Sequence, residues 1–159
     1  MHTIEIVAYR PEHQPYFEAF NRAWIEKYFW MEPVDTYVLQ HPEEAIVNKG
    51  GAVLMAYCNS VVAGTVALKK VNDKVYEFTK MAVAEDYRRR GIAEALSYAA
   101  LDKARALGAE KVILYSQTAL VPAITMYRKL GFVEVAMDTD LYKRSDIKME
   151  IDLVTTIHS

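Results

Sequence analysis

The residues best placed to do chemistry form one stretch, Met81-Ala82-Val83-Ala84-Glu85-Asp86-Tyr87-Arg88-Arg89-Arg90-Gly91-Ile92-Ala93-Glu94. A strand-like run ends at Val83, a polar turn follows, and a helical stripe begins after Gly91. The first amides of a helix have no internal partner and lie at the positive end of its dipole, so such a turn attracts anions. Gly91 lets the backbone approach a phosphate closely, and Ala93 is the smallest side chain after it. Arg88, Arg89 and Arg90 add charge and hydrogen-bond donors. A pyrophosphate suits this combination. The turn is not a P-loop, lacking Gly-Lys-Ser/Thr, and it is not a G-x-G-x-x-G turn, since Gly91 is its one glycine. On these residues alone, several nucleotide ligands stay open, as does a solvated basic turn before a capped helix.

The elements that must position this turn follow from periodicity. Ile4, Ile6 and Ala8 alternate with polar residues as in a half-buried strand, and Pro11 then opens a helix whose Phe17, Phe20, Trp24, Ile25 and Tyr28 recur at helical spacing. Short helices are predicted from Pro33 through Leu39 and from Pro42 to Val47. Gly50-Gly51 breaks the chain. Three strands follow, Ala52–Cys58, Val61–Lys69 and Lys74–Val83, separated by Asn59-Ser60 and Asn72-Asp73 as an antiparallel meander. The helix after Gly91 carries a stripe of Ile92, Ala95, Leu96, Ala99 and the Lys103 stem, and Gly108 closes it. Lys111–Tyr115 reads as a strand. Leu120, Ala123, Ile124, Tyr127 and Leu130 trace a last helix with Pro122 in its first turn, ended by Gly131. Phe132–Ala136 and Ile147–Leu153 complete the strands. The expectation is one mixed α/β (α+β) domain, residues 1–159, around one sheet.

Composition narrows the function classes. The 159 residues suit one domain with a sizeable core, and the formal charge of -2 provides no overall basic field for nucleic acid or an anionic membrane. The lone Cys58 excludes a disulfide framework or a cysteine zinc cluster, and reads as a packed thiol. His2, His13, His41 and His158 form no i, i+4 pair, so no metal site is expected. There is neither an 18-residue apolar stretch nor a signal core, so a cytoplasmic protein is the simplest expectation.

With these residues in place, the sequence resembles the GNAT superfamily of N-acetyltransferases over roughly Ile4 to Leu153, most strongly from Glu77 to Phe132. The family signature [RQ]-x-x-G-x-[GA] is met by Arg88, Gly91 and Ala93. A second pattern, A-x-x-x-Y-x-K-x-G-F, is met by Ala123, Tyr127, Lys129, Gly131 and Phe132. The segments FNRAWIEKYFWMEPVD and EFTKMAVAEDYRRRGIA look like a bacterial branch whose members are in some cases fused behind a winged-helix regulator; within these 159 residues no such segment is expected. The resemblance implies a mostly antiparallel sheet flanked by helices, with a splayed central strand pair. It implies acetyl-CoA as co-substrate, its pantetheine arm along Met81, Ala82 and Val83, its pyrophosphate on amides of Arg89, Arg90, Gly91, Ile92, Ala93 and Glu94. Arg88 then closes the turn or touches the ligand.

For catalysis the resemblance implies Tyr127 as general acid to the leaving thiolate, a role for which a phenol of pKa ~10 is suited. Spacing alone reads Tyr127 as one position of an apolar stripe. Glu77 is the candidate general base, with a solvated strand glutamate as the other reading; the resemblance also allows a water chain or solvent in place of any protein base. By alternation Lys80 points to the face opposite Glu77. One departure stands out: where family members carry an asparagine three residues before Ala123, this chain has Leu120, which leaves that contact to Gln117 or Thr118. The acceptor side is expected near Trp24, Tyr28, Phe29 and Trp30, bordered by a polar segment from Met137 to Arg144, with Glu26, Glu32 and Asp35 available to draw an ammonium. The function implied is transfer of acetyl to a primary amine of a small molecule or peptide, with a homodimer as a possible assembly. A non-catalytic acyl-CoA sensor, or an interaction domain whose arginines bind an acidic partner, remain alternatives.

Overall fold

Strand-forming residues with short turns between them make the sheet. In the computed structural model, which describes residues 3–137 and 145–153, β1 (Ile4–Ala8), β2 (Ala52–Cys58), β3 (Val61–Lys70) and β4 (Val75–Val83) form an antiparallel meander. Asn59 and Ser60 both have positive φ, 52° and 71°, the left-handed pair that a tight hairpin between right-twisted strands demands. The helix α4 (Ile92–Ala106) then carries the chain back so that β5 (Lys111–Ser116) lies parallel to β4. After α5 (Val121–Leu130), the strands β6 (Val133–Val135) and β7 (Ile147–Asp152) complete a seven-stranded sheet of order β1-β2-β3-β4-β5-β7-β6.

Both faces of the sheet are covered. On one, α4 buries Ile92, Leu96, Ala100 and Ala104 against Leu54, Val66 and Phe78, and α5 adds Tyr127 with Phe132 behind it. The buried stripe of α4 lies around Leu96, Ser97, Ala100 and Leu101 rather than along Ala99 and Lys103; Lys103 is exposed. Gly64 permits the close approach of α4, because a Cβ there would sit 3.2 Å from Ile92 Cγ2 and from Leu96 Cδ1. On the other face lie α1 (Gln14–Tyr28), α2 (Pro33–Gln40) and the single turn α3 (Pro42–Ala45), packing Phe17, Ile25, Leu39 and Ile46 on Val53, Met55 and Ala67. Cys58 is fully buried in the α4 face. No helix among the described residues is long and apolar enough to cross a membrane.

Two irregularities of β4 shape the cleft through the sheet. Its pairing with β5 stops at Glu77–Ile113, although β4 continues to Val83 and β5 to Ser116, so the two strands part beyond that point. Against β3 the register jumps between Thr65–Ala82 and Ala67–Thr79, so β4 carries an extra residue there. Lys80, in this bulge, has a φ of 54°, and its Nζ lies 3.3 Å from Asp35 Oδ1 on α2. Glu77 alternates with Tyr76 and Phe78 of the α4 face and so also faces α1 and α2. The expected opposition of Lys80 and Glu77 is therefore wrong: the bulge resets the alternation.

Candidate active site

The parting of β4 from β5 opens a cleft of about 500 Å³ through the sheet, from the start of α4 to the underside of α1. Its floor on the α4 side is built by Phe78, Met81, Val83, Leu114, Ala123 and Tyr127. Because no described residue pairs with β4 beyond Glu77 on this side, the backbone groups of β4 that point there are open to an extended ligand, as at a sheet edge.

At one end lies the turn before α4. The first helical bond runs from the Ala95 amide to the Gly91 carbonyl at 3.0 Å, and among the described residues no backbone partner serves the amides from Arg89 through Glu94. Arg89 and Gly91 take positive φ, 63° and 82°, which turns successive N–H groups into one concavity. Arg88 fastens the turn: its Nε donates to the Val83 carbonyl at 3.4 Å, and its guanidinium lies 5.5 Å over the Trp24 ring. Arg90 lies 4.9 Å over the Tyr87 ring and does not line the cleft, whereas Arg88, Arg89, Gly91, Ile92, Ala93 and Glu94 do. The Glu94 carboxylate is 3.4 Å from Lys129 Nζ.

At the middle of the cleft stands Tyr127, 9% exposed, its ring edge-on to Phe78 at 5.8 Å and to Phe132 at 5.9 Å. Burial pushes its pKa up to about 12, so the phenol stays protonated throughout the neutral range. No described residue hydrogen-bonds its hydroxyl, and among the described residues no fully buried side-chain polar atom lacks a partner, which leaves that hydroxyl opening onto the cleft. Pro122 starts α5, and Leu120 at its N-cap offers no side-chain bond. Thr118 is engaged elsewhere, its amide and hydroxyl both on the Asp146 carboxylate at 2.8 and 2.7 Å; these bonds hold Asp146 below the usual carboxylate pKa. Of the two residues offered in place of the absent asparagine, Gln117 is the one that lines the cleft.

The far end, on the α1 and α2 face, holds polar groups that the sequence did not mark as site residues. Asn21, Thr79, Lys80 and Tyr115 line it, with Trp24, Ile25 and Phe29 as an apolar wall. Tyr28 and Trp30 are exposed and lie outside it. Asp35, read from sequence as available to an ammonium, is 2% exposed, pairs with Lys80, and accepts the Glu32 amide at 3.0 Å where α2 begins. Glu77 is 5% exposed at the last paired position before the strands part; it backs the cleft without lining it. Most of the proposed border from Met137 to Arg144 lies outside the described residues. No group of histidine, cysteine and acidic residues among those described could hold a metal ion.

An elongated channel with an anion cradle at one end, open strand backbone along its length and a neutral phenol midway fits a diphosphate-bearing thioester, which places the chain among acyl-CoA-dependent transferases. Residues 8–132 match the Acetyltransferase (GNAT) family. The uncharacterized N-acetyltransferase YvbK of Bacillus subtilis strain 168 is 28% identical over 116 residues, covering 71% of this chain and 75% of that protein. A GNAT-family acetyltransferase structure from Staphylococcus aureus Mu50 superposes with a TM-score of 0.84 at 19% identity, over 96% of this chain and 100% of that one. The structure of YncA from Salmonella typhimurium with its cofactor acetyl-CoA gives 0.77 at 18% identity, over 95% and 94% of the two chains. The chain belongs to the GNAT family. It is an N-acetyltransferase with acetyl-CoA as co-substrate.

Proposed function

We propose that this protein acetylates a primary amine by direct transfer, with Tyr127 as the acid and the α4 turn as the diphosphate cradle. In this reading the diphosphate of acetyl-CoA rests on the amides from Arg89 to Glu94, and the pantetheine arm pairs with Met81, Ala82 and Val83 in place of the missing strand. Gln117 and Ala123 border that arm. The thioester then stands near Tyr127, and the acceptor enters from the α1 face. The amine nitrogen attacks the carbonyl carbon, and the oxyanion takes a hydrogen bond from a β4 amide beyond the split. As the intermediate collapses, the C–S bond breaks, the C–N bond remains, and the Tyr127 hydroxyl gives its proton to the departing sulfur. The amine's proton passes to water, with Glu77 receiving it through that water from behind the cleft. Cys58 is buried and lies off this path, consistent with direct transfer rather than a cysteinyl intermediate. A reduced buried thiol and a need for acetyl-CoA both suit the cytoplasm.

The observation that carries this reading is the loss of β4–β5 pairing after Glu77, directly in line with the unpartnered amides before α4. The test is thiol release from acetyl-CoA with a panel of primary amines. Turnover is expected, and Tyr127→Phe should lower kcat about 100-fold with little change in the KM for acetyl-CoA. In the same assay Glu77→Gln should weaken the rise in rate with pH. Tight CoA binding without turnover on any amine would instead indicate an acyl-CoA sensor.

A further inference from the structure

With cofactor in the split, the remaining part of the cleft lies under α1 and α2. We propose that this part recognises an amine that carries its own carboxylate and an apolar side chain, an acceptor of the amino-acid class, with Lys80 receiving the carboxylate and Asn21 the amine. The proposal rests on the acetyl-transfer reading above.

Lys80 is held where a free anion can reach it. Its side chain is 14% exposed and lines the cleft, and Asp35 is its one partner among the described residues, at 3.3 Å. An ammonium has three donors, so two remain. The left-handed bulge at φ 54°, a conformation that disfavours lysine, is what turns this side chain toward α2. Asp35 fixes its position, because its other oxygen is bound by the start of α2. A cation already immobilised and partly dehydrated loses less on binding a carboxylate than a solvated surface lysine does.

Asn21 provides the complementary group. It is 2% exposed, and its Nδ2 donates to the Phe17 carbonyl at 3.0 Å, which fixes the amide orientation, since the reverse would set two oxygens together. Its Oδ1 receives no hydrogen bond from a described residue. Since no fully buried side-chain polar atom among the described residues lacks a partner, that oxygen opens on the cleft Asn21 lines. An acceptor-only atom there suits an amine donor. A polycation would find little to hold it: the one carboxylate among the described lining residues is Glu94, at the diphosphate end and beside Lys129. Trp24, Ile25 and Phe29 wall the space and favour an apolar side chain.

Calorimetry on the CoA-saturated protein tests this with matched probes: leucine and phenylalanine, their amides, their decarboxylated amines, and putrescine. The acids should bind at least about tenfold tighter than the matched amides and amines. Lys80→Met alone strands a buried carboxylate, so it is combined with Asp35→Asn; this double variant should lose the preference while keeping CoA affinity. Asn21→Ala should weaken acid and amide alike. Acids binding no better than their amides, putrescine binding tightest, or a preference that survives the double variant would overturn the proposal. CoA binding without the preference refutes only the acceptor assignment, whereas no CoA binding by the wild type refutes the acetyl-transfer reading itself.

Discussion

Single residues do two kinds of work in this protein, and burial decides which. Tyr127 is buried with its hydroxyl toward the cleft, and desolvation holds it neutral, so one side chain packs the core and meets the requirement of the proton donor proposed for it. Helical spacing alone could not separate these readings, because a stripe of apolar positions and a catalytic phenol on that stripe have the same period. His13 shows the structural kind. It is 1% exposed, its Nδ1 accepts the Arg10 amide at 3.0 Å, and its Nε2 lies 2.9 Å from the Tyr57 hydroxyl. The amide bond to Nδ1 requires the neutral ring, with the proton on Nε2. Burial, then the Arg10 charge, lowers its pKa, against a smaller opposing pull from Glu12. The folded protein therefore binds this proton less readily than the unfolded chain, so the contribution of His13 is full above the ordinary histidine pKa of about 6.5 and is lost as pH falls through the lower folded value. Urea melts at pH 7.5 and 5.5 should show wild-type stability dropping on the acid side, and His13→Gln should flatten that part of the drop. An equal acid-side loss in both proteins would show that His13 does not carry this pH dependence.

At the scale of elements, the site exists because three features meet: a bulge in β4, the parting of β4 from β5, and the turn into α4. Only the last was legible residue by residue. Gly91 and Pro122 mark their helix starts by conformational chemistry, and Asn59-Ser60 marks its hairpin in the same way. The parting of two parallel strands depends on contacts distant in sequence, so here it entered through a family resemblance. The bulge at Lys80 carries no glycine to announce it, which is why simple alternation put Lys80 on the wrong face. The expected α4 stripe held at Ile92 and Leu96 and failed at the exposed Lys103, because the many alanines of this helix blur where its apolar face ends. The role of the turn can be separated from its packing. A Cβ on Gly91 would meet nothing within 4 Å, so bulk added there projects into the ligand's space rather than the core. Gly91→Trp should incur about 1–2 kcal/mol of left-handed strain and raise the KM for acetyl-CoA more than about tenfold. Arg89→Ala, whose lost side chain is exposed, should change that KM by less than about threefold, since the backbone supplies the donors. Equal effects of the two substitutions would show that side-chain charge, not the amides, holds the diphosphate.

In the proposed reading, cofactor and acceptor lie on opposite faces of one sheet and meet through the gap between β4 and β5. The α4 and α5 face carries the turn of unpartnered amides and the Tyr127 phenol, and the α1 and α2 face carries the ordered polar groups Asn21 and Lys80. The composition fits this proposal: a chain of net charge -2 has no bulk field to collect anions, so a diphosphate would have to be held locally, by the backbone dipoles of the turn before α4. The order of strands and helices was readable in the sequence, but their pairing across the split was not, because a parallel neighbour reached over a helix leaves no local mark. The most direct measurement is a calorimetric comparison of CoA, dephospho-CoA and pantetheine on the wild-type protein. CoA and dephospho-CoA, which share the diphosphate, should bind with similar affinity, and pantetheine, which lacks it, should bind at least about 100-fold more weakly. Pantetheine binding as tightly as CoA, or no heat with CoA at all, would contradict the assignment of the amides before α4 as the cofactor's anchor.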